Sequence, residues 1–174
     1  AAVIARDIRR LQQVEEEIRV LNIGATAVGT AINVNPIYLF HIIKNINLVC
    51  GTDCSQAEDL FDATQNLDGF VFTSSMLKTC AVNLSKICND LRLLSSGPKT
   101  GIGEINLPPK QNGSSIMPGK INPVIPEVVS QVAYNVIGND TTVTLAAEAG
   151  QLELNAFEPV VFYKIFESID TMTG

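Results

Sequence analysis

Apolar residues recur at helical spacing along most of the chain. In the most regular stretch they are separated by alternating steps of three and four residues, and they are Leu77, Cys80, Leu84, Ile87, Leu91 and Leu94. This pattern predicts one long helix whose apolar seam packs against other helices. Gly97 and Pro98, which follow the last seam residue, predict its end. No segment alternates between apolar and polar side chains as a strand would, so the sequence predicts an all-α fold of long packed helices.

Further helices are predicted on both sides of this one. Apolar residues at helical spacing predict a first helix that runs from the N-terminal residues to Leu21, where Asn22, Ile23 and Gly24 would stop it. The other predicted helices cover residues 36–49, 57–64, 123–149 and 159–172. The segments between them, above all residues 99–122 with their prolines and glycines, are predicted to be loops.

The composition indicates a folded domain and narrows the range of partners. A length of 174 residues, with 46% hydrophobic and 17% charged residues, is enough for one domain with its own core. The net charge of −6 argues against nucleic acid or an anionic membrane surface as a partner. The first residues have the pattern of a charged amphipathic helix and not of a signal peptide, so we expect a cytoplasmic location.

The cysteines and the single histidine do not suggest a metal or cofactor site. Cys50 and Cys54 are close in sequence, but no second pair exists and the only histidine, His41, is nine residues before Cys50. Structural zinc usually needs four such ligands. We therefore expect reduced thiols, no metal and no cofactor, and we expect His41 to lie in the core or in an interface.

The strongest chemical signal is the run GSSIMPGKINP at residues 113–123. Ser114, Ser115 and Lys120 stand between glycines and prolines that shape the backbone. Asn122 followed by Pro123 is typical of a helix N-cap and first helical residue. Since the free N–H groups and the dipole at such a helix end favour anions, the run predicts an anion-handling loop with a hydroxyl group as a candidate base.

This loop resembles the signature loop of the aspartase/fumarase superfamily, whose members eliminate ammonia, water or an amine from succinyl compounds. The resemblance continues in residues 24–30, 91–98, 103–108, 136–140 and 146–155, so it covers essentially the whole chain. It implies a long-helix bundle, with residues 1–174 forming part of the central helical domain and the family's N-terminal domain and C-terminal small domain outside this chain. It also implies a homotetramer that assembles through the central helices and shares active sites between subunits. A complete small bundle is the alternative.

Segments 122–129 and 146–155 are more similar to the superfamily members that act on aspartate than to class II fumarases. The resemblance therefore implies a lyase that reversibly eliminates ammonia from L-aspartate to give fumarate, through an aci-carboxylate intermediate. Two alternatives stay open. One is a class II fumarase, which interconverts fumarate and malate, and the other is a non-catalytic helical oligomerisation module.

The resemblance also implies roles for individual residues of the loop. Ser114 matches the catalytic base, which must act as an alkoxide because a serine hydroxyl is a weak base. Lys120 and Asn122 match residues that bind a substrate carboxylate. Ser115 and Thr26 are further candidates for substrate contact.

Glu127 matches the carboxylate that orients an active-site histidine in fumarases, and we count it as a catalytic candidate. A simpler reading exists for several of these residues. Two serines after a glycine commonly form a turn, Asn122 is accounted for by capping, and a glutamate in the first turn of a helix is favoured by the helix dipole.

Overall fold

Six α-helices and two short strands form the part of the chain that the computed structural model describes, residues 1–97 and 99–174. In chain order they are α1 (Ala2–Ile18), β1 (Val20–Leu21), α2 (Pro36–Cys50), β2 (Ser55–Gln56), α3 (Asp62–Gln65), α4 (Asp68–Leu94), α5 (Val124–Glu148) and α6 (Glu158–Thr173). The predicted fold of long helices is confirmed. The helix predicted around the apolar seam is α4, which has 27 residues and is about 40 Å long.

The boundaries of α2, α5 and α6 agree with the predicted ranges to within one residue. The helix predicted over residues 57–64 is wrong in extent, because α3 has only four residues. The Asp59 carboxylate accepts hydrogen bonds from the N–H groups of Phe61 and Asp62, at 2.9 and 3.2 Å, and so starts the helical turn later than predicted. Pro98, part of the predicted stop of α4, lies outside the described residues.

The first helix is shorter than predicted because the chain after Ile18 turns into a strand. β1 and β2 pair in parallel, with Val20 opposite Ser55 and Leu21 opposite Gln56. The Ser55 N–H donates to the Arg19 carbonyl at 2.9 Å, and the Ala57 N–H donates to the Leu21 carbonyl at 2.9 Å. These bonds hold the segment extended, so α1 ends three residues before the predicted Leu21. The expectation that the chain contains no strand is wrong for this short pair.

α4 and α5 pack against each other as an antiparallel pair, with α6 packed on α5 and α1 packed on α4. Ser74, near the start of α4, contacts Asp140 in the second half of α5. Leu91, near the end of α4, lies beside Val124 and Pro126 at the start of α5. The buried core is made mainly of small and aliphatic side chains, and it comprises Leu67, Leu77, Ala81, Ala133, Val136, Val143, Ala146, Val161 and Ile165.

The apolar seam predicted on α4 and the face of α4 that is buried in the structure coincide only in part. Leu77 belongs to the core, but Leu84, Ile87, Leu91 and Leu94 are half-buried. The fully buried residues of α4 are mostly small or polar, and they are Thr73, Ser74, Leu77, Ala81, Ser85 and Cys88. Small side chains allow helix axes to approach closely, so they account for the contact between α4 and its neighbours better than the leucines do.

Two buried carboxylates tie other helices to α4. Asp140 on α5 accepts hydrogen bonds from the Ser74 hydroxyl at 2.9 Å and from the Lys78 ammonium at 2.5 Å. Asp7 on α1 accepts bonds from the Asn83 amide at 2.9 Å to each of its oxygens. Because an unpaired buried charge costs about 3–5 kcal/mol, these pairs oppose any sliding of α1 or α5 along α4.

α2 contributes no buried side chain to the structure. Phe40, Leu48 and Val49 are 82%, 80% and 83% exposed. His41 is also exposed and contacts Phe40 edge-on, with ring centroids 4.9 Å apart. The prediction of a core histidine is therefore wrong for the described residues, since α2 lies on the surface; the interface reading is untested.

None of the described helices combines the length and the apolar character that a membrane crossing requires.

Candidate active site

The loop predicted to carry the chemistry connects α4 to α5 at one end of this helix pair. Two backbone hydrogen bonds join its first residues to the end of α4: the Glu104 N–H donates to the Leu94 carbonyl at 2.9 Å, and the Gly103 N–H donates to the Ser96 carbonyl at 2.7 Å. Residues 95–123 contain three lysines and one glutamate, whereas the whole chain has a net charge of −6. This segment is thus a locally positive part of an acidic chain, which favours an anionic ligand.

Residues 113–120 form a closed loop, because its two ends, Gly113 and Lys120, pack against each other. We call this backbone contact the neck. The Met117 N–H donates to the Ser114 carbonyl at 3.2 Å, and the Lys120 N–H donates to the Met117 carbonyl at 3.2 Å. These two successive turns bring Gly113 against the Lys120 backbone. A Cβ atom added to Gly113 would be only 1.8 Å from the Lys120 carbonyl oxygen. Ser114 therefore directly follows a residue whose backbone packs against that of Lys120.

The closed loop borders a hollow of about 540 Å³. Ser114, Ser115 and Lys120 all line it, together with other residues between Pro109 and Ile121. The volume falls within the range of about 300–1,000 Å³ that is typical of small-molecule sites. The structure thus brings three of the predicted site residues around one space.

The Ser114 hydroxyl has a hydrogen-bond partner that suits a base. Ser114 is half-buried, and its Oγ accepts a bond from the Ile116 N–H at 3.2 Å. An N–H donor stabilises an oxygen that carries negative charge more than a neutral hydroxyl. Ser115 is exposed and has no such bond among the described residues. The geometry therefore favours Ser114 over Ser115 as the hydroxyl that can lose its proton.

The Lys120 ammonium is exposed, and among the described residues it takes part in none of the ion pairs of the structure. An ammonium group without an internal partner can bind a carboxylate without first breaking a salt bridge. Charge-assisted hydrogen bonds of this kind are roughly twice as strong as neutral ones. Lys120 is thus available to an anion in the hollow.

Asn122 does not cap α5, so the predicted N-cap with Pro123 as the first helical residue is wrong. The helix begins at Val124, Pro123 is in the cap position, and no side chain accepts a bond from the first turn. Pro123 has φ −78° and ψ 61°, the geometry of an inverse γ-turn, in which the Val124 N–H donates to the Asn122 carbonyl at 2.9 Å. This turn directs the chain into the helix without the Asn122 side chain. Asn122 instead lines a second hollow of about 250 Å³ beside Lys110.

Glu127 and Thr26 line neither hollow. Glu127 is half-buried in the first turn of α5. Thr26 is exposed in the loop before α2 and has a φ of 65°, which is rare for a β-branched residue. Such strained positions are common at functional sites. Within the described residues, no hydrogen bond links Glu127 or Thr26 to residues 113–120, so the structure does not assemble all the predicted site residues in one place.

Comparison with known proteins identifies the family of the chain. A family model described as a lyase matches residues 1–138, which is well over half of the sequence. The chain belongs to this lyase family. The resemblance of the loop at residues 113–123 to lyases is thereby confirmed.

Individual members of the lyase family are similar over nearly the whole chain. The aspartate ammonia-lyase of Pseudomonas aeruginosa is 56% identical over 170 residues, which are 97% of this chain and 36% of that protein. The aspartate ammonia-lyase of Escherichia coli is 52% identical over 172 residues, which are 99% of this chain and 36% of that protein. The chain therefore spans about 36% of the length of these relatives.

Solved structures of lyases share the same fold. A fumarate lyase:delta crystallin from Brucella melitensis, bound to cobalt, superposes with a TM-score of 0.94 at 51% identity, covering 98% of this chain and 37% of that one. A class II fumarase from Schistosoma mansoni superposes with a TM-score of 0.81 at 31% identity, covering 97% of this chain and 40% of that one. The helical bundle is thus common to both kinds of lyase.

Two residues that line the larger hollow escaped the sequence analysis. Gln111 and Asn112 line the same hollow as Ser114, and their amide groups can donate hydrogen bonds to an anion. Their position directly before Gly113 is the only sequence signal that could have identified them. Among the described residues, no group of three or more His, Cys, Asp or Glu is placed to hold a metal ion.

Proposed function

We propose that the full-length protein containing this chain is an aspartate ammonia-lyase, which eliminates ammonia from L-aspartate to give fumarate. The observation that carries the proposal is the identity of 56% and 50% to the aspartate ammonia-lyases of Pseudomonas aeruginosa and Bacillus subtilis over 97% and 99% of this chain. The class II fumarase of Schistosoma mansoni is more distant, at 31% identity. Ammonia is therefore a better supported leaving group than water.

In the proposed reaction, Ser114 acts as an alkoxide base. It takes a proton from the carbon next to the side-chain carboxylate of aspartate and becomes a neutral hydroxyl. The electron pair left behind moves into the carboxylate and gives an aci-carboxylate with two negative charges. That pair then forms the carbon–carbon double bond as ammonia leaves the adjacent carbon. The place of Ser114 at the hollow and the N–H bond to its Oγ support this role.

Lys120 is proposed to bind the carboxylate that gains the second negative charge. Lys120 and Ser114 line the same hollow, so one substrate can meet both groups. The attraction grows as charge develops, and a group that binds the intermediate more tightly than the substrate raises the rate. Asn122, Ser115 and Thr26 are proposed to donate further hydrogen bonds to the substrate.

We also propose that residues 1–174 are part of the central helical domain of a longer subunit, and that four cytoplasmic subunits assemble through these helices. In this arrangement Glu127 orients a histidine from a segment outside this chain, as the resemblance to the aspartase/fumarase superfamily implies. Apolar side chains exposed on the long helices support assembly; Tyr134 and Leu145 on α5 are 58% and 61% exposed.

The proposed activity is tested by supplying the full-length protein with L-aspartate and measuring the ultraviolet absorbance of fumarate. L-malate is the parallel substrate. We expect fumarate from aspartate and none from malate. Fumarate from malate alone would contradict the proposal and identify a fumarase. A folded protein that produces fumarate from neither substrate would favour the non-catalytic module.

The proposed roles in the loop are tested by Ser114→Ala and Lys120→Ala in the full-length protein. Ser114→Ala removes the base but leaves Lys120, the residue that binds the carboxylate and that we call the carboxylate clamp. Turnover should therefore fall by roughly 10²–10⁴-fold while a dicarboxylate inhibitor binds nearly as well. Lys120→Ala removes a charge that acts in both the bound and the reacting state, so both binding and turnover should weaken.

Ser115→Ala is the matched control for the base, because it removes the neighbouring hydroxyl. It should lower turnover much less than Ser114→Ala. Near-normal turnover in Ser114→Ala together with loss of turnover in Ser115→Ala would move the base by one residue. Normal turnover in both variants would contradict a serine base in this loop.

A further inference from the structure

We infer that Gly113 is a positioning residue that sets the distance between Ser114 and Lys120; the inference rests on the proposed function of these two residues. Gly113 also lines the hollow, but it has no side chain that could bind the substrate. It holds the base and the carboxylate clamp at a fixed separation through the backbone. The loop 113–120 supplies the geometry from which this role follows.

Position 113 requires glycine because there is no room for a side-chain atom, and not because of its backbone conformation. A Cβ atom at this position would be 1.8 Å from the Lys120 carbonyl oxygen, 2.8 Å from the carbonyl carbon and 3.2 Å from the Lys120 Cβ. The backbone of Gly113 is not in the left-handed region. Gly119, at the other end of the loop, shows the opposite case: its φ is 80°, and nothing lies within 4 Å of an added Cβ.

The contact fixes how closely the two ends of the loop approach. Real Cβ atoms essentially never come within 3.0 Å of another atom of this kind, so an alanine at position 113 would have to displace the Lys120 backbone by more than an ångström. Ser114 is bonded to residue 113, and the Lys120 side chain is attached to the backbone that is displaced. A change of about 1 Å in the placement of reacting groups can lower a rate about 10²-fold.

The kinetic test is Gly113→Ala in the full-length protein, measured with L-aspartate. We expect kcat/KM to fall about 10²-fold, with a lower kcat and a raised KM, because both the base and the carboxylate clamp are displaced. A variant that merely contained less folded protein would show a lower apparent kcat and an unchanged KM. Gly69→Ala is the matched control, since an added Cβ there is 4.0 Å from its nearest neighbours, and its kinetics should equal those of the wild type.

Trypsin gives a second measurement that does not depend on activity. Trypsin cleaves the peptide bond after a lysine by attacking the carbonyl carbon of that lysine. At Lys120 this carbonyl group is covered by the contact with Gly113. Gly113→Ala should therefore be cleaved after Lys120 about tenfold faster than the wild type, as expected when overpacking opens a closed contact. Cleavage after Lys110, which is exposed in the same loop, is the internal reference and should not change.

The two measurements separate the inference from the proposed function. Faster cleavage after Lys120 in a protein whose wild type lacks activity on aspartate would confirm the neck and defeat the proposed function. Wild-type kinetics in Gly113→Ala would overturn the positioning role, whatever trypsin shows. Reduced activity without faster cleavage would also overturn it, because the neck would then not be the cause.

Discussion

Glu167 on α6 is held in its charged form by neighbours on two helices. The Lys164 ammonium donates to its carboxylate at 2.8 Å, and the side chains of Asn139 and Asn135 on α5 also favour the ionised form. The hydrogen bond from Lys164 is the largest cause, and together these groups lower the pKa of Glu167 below the ordinary value of 4.5. A carboxyl group whose pKa is lower in the folded than in the unfolded protein stabilises the fold only while it is ionised.

Glu167→Gln should therefore destabilise the protein at neutral pH and less so in acid. The difference in the free energy of unfolding from the wild type should be constant above the ordinary glutamate pKa. It should shrink as the pH falls below 4.5 and through the lowered pKa, because the wild-type carboxyl then becomes neutral as well. Urea unfolding at a series of pH values measures this difference. Glu16→Gln, at an exposed glutamate of α1 without an ion pair in the described chain, is the control. An equal pH trend in both variants would contradict the assignment.

At the scale of single residues, the sequence predicted which side chains carry the proposed chemistry but not how they are held. Ser114 and Lys120 were identified because hydroxyl, cation, glycine and proline occur together in one short run. Their proximity depends on two turns and on the contact between Gly113 and the Lys120 carbonyl. That contact joins backbone atoms seven residues apart, and residue type alone does not specify it. The strained φ of Thr26 is likewise invisible in the sequence.

At the scale of secondary-structure elements, the same dipeptide has two different effects. Asn35 and Pro36 begin α2, and the Asn35 side chain accepts a hydrogen bond from the Ile37 N–H at 2.9 Å. Asn122 and Pro123 precede α5, yet Pro123 closes an inverse γ-turn and no side-chain cap forms. The sequence signal is equal in both places, so the turn adopted by the proline decides whether the asparagine caps the helix.

We predict that Asn35→Ala and Asn122→Ala differ in their effects on the helix that follows. Loss of a side-chain cap typically costs about 1 kcal/mol of helix stability, or roughly a fivefold increase in opening. In Asn35→Ala, amide hydrogen exchange in the first turn of α2 should accelerate by about that factor, since packing on other helices does not hold α2 in place. Asn122→Ala should leave exchange in the first turn of α5 nearly unchanged. Equal acceleration at both helices would show that Asn122 caps α5 after all.

The long helices were predictable because each of them repeats one periodic signal over many residues. The pairing of β1 and β2 was not, because two residues are too few to show a period and their partners lie 35 positions away. The position of α1 and α5 along α4 could also not be predicted from the sequence. It depends on Asp7 and Asp140, and nothing in the sequence distinguishes these carboxylates from those on the surface.

At the scale of the whole molecule, large apolar side chains are exposed on both α5 and α6. On α5, Tyr134 and Leu145 are 58% and 61% exposed and lie three helical turns apart on one face. On α6, Tyr163 and Phe166 are 62% and 60% exposed. Large exposed apolar patches generally mark interaction sites. The seam of α4 has further leucines that are half-buried, whereas Leu77 is already used in the core.

We predict that the chain self-associates at micromolar concentration through its long helices. Sedimentation velocity should show a species larger than the 18.7 kDa chain. The double variant Tyr134→Ser/Leu145→Ser removes apolar area from the exposed face of α5 without touching the core, and it should weaken association by about tenfold or more. Phe40→Ser/Leu48→Ser removes comparable apolar area from α2 and is the matched control for nonspecific hydrophobic association. Dissociation caused only by the α2 variant would place the interface on α2 and contradict assembly through the long helices. A monodisperse monomer in the wild type would contradict self-association altogether.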